Sequence, residues 1–99
     1  MVSRHYTQDR QRREQAIQKI GYGEKYAEFI VDRHHPHGLE RHVISTTGII
    51  EVYAVRTNDL ITKLIARPAQ IERYFKKGEA PKAIVEIARR HQIEGLNEL

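Results

Sequence analysis

From Arg41 to Arg67 the residues turn β-branched and aromatic, and no other stretch narrows the choice of fold as much. Such side chains suit a pleated, half-buried surface. Two short polar links, Thr46-Thr47-Gly48 and Thr57-Asn58-Asp59, divide the block as antiparallel hairpins require. The predicted strands are "RHVIS", "GIIEVYAVR" and "DLITKLIAR". In the middle strand Ile50, Val52 and Ala54 point one way, and Ile49, Glu51, Tyr53 and Val55 the other. In the third strand Leu60, Thr62 and Leu64 alternate with Ile61, Lys63 and Ile65. Neither face is purely polar, so helices must cover part of each.

The flanks supply those helices. Residues 3–20 are predicted helical, with Ser3 as N-cap and an apolar face confined to Ala16, Ile17 and Ile20 in the second half. Gly21 and Gly23 end this helix. The spacing of Tyr26, Phe29, Ile30 and Arg33 predicts a second short helix in "EKYAEFIVDR". Pro68 opens a helix, "PAQIERYFKK", that Gly78 ends. Pro81 opens "PKAIVEIARRHQIE", where Ile84, Ile87, Ala88 and His91 share a stripe and Gly95 closes the run. The expected fold is therefore a single α+β domain over 1–99. It has N-terminal helices within 3–33, a three-stranded antiparallel β-meander within 41–67 and two C-terminal helices within 68–95.

With 99 residues, there is chain for one modest core. The absence of cysteine excludes disulfides, thiolate zinc sites and cysteine nucleophiles. Seventeen Lys and Arg against thirteen Asp and Glu give a net charge of +4, which favours polyanionic partners. The polar opening "MVSRHYTQDRQRR" and the lack of a long apolar run lead us to expect a cytoplasmic protein with no membrane partner.

Four of the six histidines fall in the ten residues "RHHPHGLERH", from Arg33 to His42. Three readings compete for this cluster. A zinc site would draw on His35, His37 and His42, but an all-histidine structural site is unusual and no ligand motif matches. Acid–base chemistry on a phosphodiester needs a base for the 2′-hydroxyl, an acid for the departing 5′-oxygen and cations for the phosphate. Histidine titrates nearest neutrality and arginine offers a rigid fork to phosphate oxygens. The third reading is a solvated loop, with Arg41 paired to Glu40 or Glu51 on an ordinary surface. The catalytic candidates are His37, Arg41, His42, Thr62 and Arg67, with Tyr53 a further hydroxyl. Arg41 and His42 face opposite ways if both lie in the strand, and either Arg67 or Lys63 would accompany the cluster. His91 is expected to pack on the last helix rather than to react.

Residues 4–19 carry five cations against two acids, and Arg10 and Arg13 fall near one side of the helix, as a phosphate-tracking face would need. Together with Arg33, Arg56 and Lys63 they form the expected nucleic-acid-binding set. A solvated helix face explains the same charges without a ligand.

The run "HGLERHVISTTGIIEVYAVRTNDLITKLIAR" resembles small metal-independent ribonucleases of the barnase, colicin and RelE type, found among toxins and among phage and mobile-element proteins. The likeness spans about residues 34–67. It rests on a histidine–arginine entry, hairpin-linked strands and "VRTNDLIT". It implies RNA cleavage through a cyclic phosphate, with His42 or His37 and a strand arginine in the site. Members with a glutamate base carry a histidine late in the sheet, whereas here none lies between His42 and His91. The expected function is thus a metal-independent ribonuclease without cofactor or metal, acting on RNA or another nucleic acid. The alternative is a non-enzymatic binding protein, an inhibitor or regulator of a protein or nucleic-acid complex. A cognate inhibitor or host protein would be a natural partner. A homodimer is a further option, through an open sheet edge or the terminal "EGLNEL".

Overall fold

The computed structural model describes residues 4–34 and 38–98, with side chains over 10–34 and 38–97. Helix α1 (Arg4–Ile20) leads into four strands: β1 (Lys25–Asp32), β2 (Leu39–Ser45), β3 (Ile49–Ala54) and β4 (Leu60–Ile65). Helices α2 (Pro68–Glu72) and α3 (Lys82–Ile93) follow, then a 3-10 turn at Leu96–Glu98. The strands form one antiparallel sheet in the order β1-β2-β3-β4. The architecture is α+β, but the sheet has four strands rather than the expected three, and a single N-terminal helix rather than two.

The difference lies in residues 25–32, predicted helical and found as β1. Tyr26, Phe29 and Ile30 satisfy helical spacing, yet the same segment also alternates with period two. Ala27, Phe29 and Val31 are half-buried, while Tyr26, Glu28, Ile30 and Asp32 are exposed. An eight-residue helix gains little by itself. As a strand the segment pairs along β2, from Ala27 opposite Ile44 to Asp32 opposite Leu39. Its backbone groups thereby find partners, and Phe29 stacks on Tyr74 with ring centroids 5.3 Å apart.

The sheet is the middle of three layers. On one face Ile44, Ile50 and Val52 pack against Ile71, Ile84, Val85 and Ala88 from α2 and α3. On the other, Ile49 and Ile65 pack against Ala16 and Ile17 of α1. Strand alternation alone produces this division. A register shift at Val52 and Tyr53 leaves Ile61 as an extra residue, since Thr62 pairs with Val52 and Leu60 with Tyr53. Leu60 therefore lies on the Tyr53 face rather than with Thr62. Helix α2 is five residues long and stops well before Gly78. The chain leaves it at Arg73 so that Tyr74 and Phe75 can turn onto the sheet.

The β2–β3 hairpin locks the layers together. Thr47 Oγ1 donates to the carbonyls of Gly21 and Tyr22 at 2.7 and 2.8 Å, and His91 Nε2 donates to the Thr47 carbonyl at 2.9 Å. His91 is buried and its role is structural. Gly23 is required by this junction. Its φ is +73°, and a Cβ there would sit 2.5 Å from Thr46 Oγ1.

Ile44 is fully buried, so Ile44→Ala is expected to cost about 2–5 kcal/mol in urea denaturation. Ile30→Ala, at a position 59% exposed, should stay within about 0.5 kcal/mol of wild type.

Candidate active site

Alternation along β2 places Glu40 and His42 on the face that α2 and α3 cover, and Arg41 on the other. His42 lies opposite Phe29 of β1 and Val52 of β3, and Val52 in turn lies opposite Thr62 of β4. Over this patch hangs Tyr74, carried by the turn after α2. The Glu40 carboxylate accepts from His42 Nε2–H at 2.9 Å, and Tyr74 Oη meets His42 Nδ1 at 2.5 Å. Arg33, just past β1, donates from Nε to the same Glu40 oxygen at 3.2 Å. The chain of groups thus reads Arg33–Glu40–His42–Tyr74.

Glu40 fixes the imidazole orientation by holding Nε2 in its protonated form. In the neutral ring Nδ1 is then the acceptor, and the Tyr74 hydroxyl donates to it. This is the order of a hydroxyl, a base and an orienting carboxylate that activates side-chain oxygens in general. The ring is deeply buried, at 4% exposure, and both nitrogens are engaged, so communication with a bound molecule passes through Tyr74. Burial pushes the Glu40 carboxyl up, but hydrogen bonds from His42 and Arg33, with their charges, outweigh this and hold it below the ordinary range. Burial raises the Tyr74 phenol, with Arg33 opposing and Glu40 reinforcing the shift, so the hydroxyl keeps its proton at neutral pH.

These groups open into a cleft of about 620 Å³, lined also by Thr62, Gln70 and Arg73. Arg73 continues into a second hollow with Arg13 and Arg67, and Arg13 continues into a third with Arg10, Thr62 and Lys63. All three hollows border β4, an edge strand. A line of guanidinium groups therefore runs from α1 past the start of α2 to the Tyr74 cleft.

Of the residues singled out from sequence, His42 and Thr62 line the Tyr74 cleft, and Arg33 enters it as the partner of Glu40. Arg67 lies in the neighbouring hollow, where its backbone N–H donates to the Gln70 side chain at 2.8 Å. Arg41 is on the opposite face of the sheet. Its guanidinium donates to Glu28 at 3.2 Å and Asn58 at 2.8 Å and lies 4.5 Å from the Tyr53 ring centroid. Tyr53 shares that face. Lys63 pairs with Glu51 at 3.6 Å, Arg10 with Glu14 at 3.4 Å, and Arg56 is exposed in the β3–β4 turn. His35 and His37 lie outside the described residues. Among the described residues, no three His, Asp or Glu side chains converge to hold a metal ion, and no helix is long and apolar enough to cross a membrane.

Sequence reasoning missed the role of Glu40, Arg73 and Tyr74. The signal for Glu40 was present, because a two-residue offset in a strand puts it beside His42. Tyr74 carried none, since it reaches His42 from 32 residues downstream. The chain matches no family model, no curated protein and no solved structure.

Because the folded Glu40 carboxyl lies below its ordinary value of 4.5, acidification protonates it first in the unfolded chain. Its contribution is complete well above pH 4.5 and is lost as pH falls through the folded value. Glu40→Gln should therefore destabilise at pH 7, with the gap to wild type narrowing in denaturation curves recorded towards pH 3.

Proposed function

We propose that this protein is a cytoplasmic, metal-independent ribonuclease, in which Tyr74 is the group that meets the substrate and His42 and Glu40 stand behind it. The observation that carries this reading is the Glu40–His42–Tyr74 chain opening on an arginine-lined cleft. A backbone phosphate seated there would lie near Arg73 and the terminal nitrogens of Arg33. Guanidinium forks are suited to its non-bridging oxygens and to the charge that grows on them during cleavage.

The proton path follows from the hydrogen-bond chain. With the imidazole protonated, Nδ1–H donates to Tyr74 Oη. As the phenol's own proton passes to the departing 5′-oxygen, the Nδ1 proton moves to Oη, which regenerates the phenol and leaves a neutral imidazole. The 2′-oxygen attacks phosphorus and loses its proton to solvent, and the products are a 2′,3′-cyclic phosphate and a 5′-hydroxyl. Glu40 balances the imidazolium charge until that proton has been passed on, and it holds Nε2–H in place throughout. Relaying through a phenol lets a histidine whose two nitrogens are both engaged act on a molecule in the cleft it lines. The line of arginines along β4 supports an extended polyanion as substrate rather than a mononucleotide.

A second reading rests on one specific observation. Both His42 nitrogens are occupied and the ring is buried, which also suits a rigid strut holding the Tyr74 turn on the sheet. The protein would then bind RNA through the arginine line without cutting it.

Labelled RNA incubated in EDTA separates the two. The ribonuclease reading expects cleavage by wild type that falls about 10²–10⁴-fold in Tyr74→Phe, with RNA affinity retained. Arg13→Ala and Arg67→Ala should weaken binding and each lower the salt slope by about 1. Salt-dependent binding with intact RNA would establish the second reading, and failure to bind RNA at all would reject both.

A further inference from the structure

A further groove lies between α2 and α3, lined by neither His42 nor Tyr74 but sharing Arg73 with the Tyr74 cleft. It encloses about 900 Å³. Its floor is apolar, built by Phe75, Ala80 and Val85, which belong to or pack against the core beneath. Its rim is basic. Arg73, Lys76, Lys77, Lys82 and Arg89 surround the floor, against Glu72 and Glu86. Glu86 is already bonded to Arg89, so the acidic side of the rim is partly neutralised within α3 itself. Among the described residues Lys76, Lys77 and Lys82 make no ion pair, and all three are exposed.

We infer that this groove is the docking site for an acidic amphipathic segment of a partner protein. Its apolar side chains would seat on Phe75, Ala80 and Val85, and its carboxylates would face Lys76, Lys77 and Lys82. The pairing of an apolar floor with a cationic rim decides the class of occupant. An amphipathic helix presents apolar anchors three and four residues apart with charges beside them, and such a ligand uses both features. The phosphates of a nucleic acid need no apolar floor. The one aromatic ring in the floor is also unsuited to stacking on a base. Phe75 is half-buried and held edge-to-face against Phe29, with centroids 5.2 Å apart, instead of splayed towards solvent. The excess of cations gives the partner's carboxylates a favourable approach and disfavours basic segments.

The test uses the full-length protein and a fluorescein-labelled peptide of roughly four helical turns, with Leu at helical anchor spacing and Glu on the flanks. Binding by anisotropy, with amide resonances of Phe75, Ala80 and Val85 shifting on titration, is the expected result. Lys77→Glu and Lys82→Glu together should weaken binding about tenfold or more. Lys19→Glu, an exposed position on α1 away from the groove, should leave it unchanged. A peptide with Leu replaced by Ser, or with Glu replaced by Lys, should bind at least about tenfold more weakly than the parent. The inference is overturned if the parent peptide does not bind, if Lys19→Glu weakens it as much as the groove variants do, or if the Ser-substituted peptide binds equally well. It is likewise overturned if an RNA oligonucleotide displaces the peptide and loses affinity on the same Lys77 and Lys82 reversals, which would make the groove a nucleic-acid surface. None of these outcomes depends on whether the Tyr74 cleft cleaves RNA.

Discussion

Side-chain alternation along β2 governs the chemistry of this molecule. One residue step separates Glu40 and His42, which face the C-terminal helices, from Arg41, which faces the layer of α1. A histidine and an arginine adjacent in sequence are thereby assigned to opposite sides of a sheet and cannot share a ligand. Each instead recruits a separate set of partners. His42 gains Glu40 and Tyr74, while Arg41 gains Glu28, Asn58 and the Tyr53 ring. Among the described residues, a guanidinium is linked to the imidazole by hydrogen bonds only indirectly, from Arg33 through the shared Glu40 oxygen.

The same alternation explains how a small domain can bury a carboxylate and an imidazole. Taking either group out of water alone would be costly. Together they form a chain in which both imidazole nitrogens and one carboxylate oxygen have partners, ending at a phenol that borders a cleft. Phe29 helps hold that phenol, because β1 brings its ring against Tyr74. Strand β1 is therefore part of the site and not only of the scaffold. With 25–32 as a helix, neither Phe29 nor Arg33 would be placed beside Glu40, His42 and Tyr74.

The strand block and the helix after Pro81 were legible because several local signals agreed there: residue type, period, turn chemistry and capping. The segment 25–32 was ambiguous because Tyr26, Phe29 and Ile30 fit the helical period while Ala27, Phe29 and Val31 fit the strand period, and what decides between them is whether β2 offers a free edge to pair with. The extra residue at Ile61 was hidden for a similar reason. The alternation of the isolated strand is regular, and only pairing with β3 reveals the slip. The site divides in the same way. The separation of Arg41 from His42 and the adjacency of Glu40 to His42 follow from strand period alone, whereas Tyr74, Arg73 and Arg33 enter through loops whose paths are set by packing.

By itself the sequence determined the α+β composition, the hairpin links, the cationic balance and the sides on which neighbouring β2 residues fall. These are properties of local covalent geometry, side-chain shape and charge, which need no distant partner. Tertiary structure decided that 25–32 is a strand and that α2 ends early enough to present Tyr74. It also decided which arginines line the cleft and which are taken by Glu28 and Glu14. Those outcomes depend on which backbone edges and apolar faces are left to be satisfied once the sheet has formed, and that becomes defined only when the chain has closed on itself.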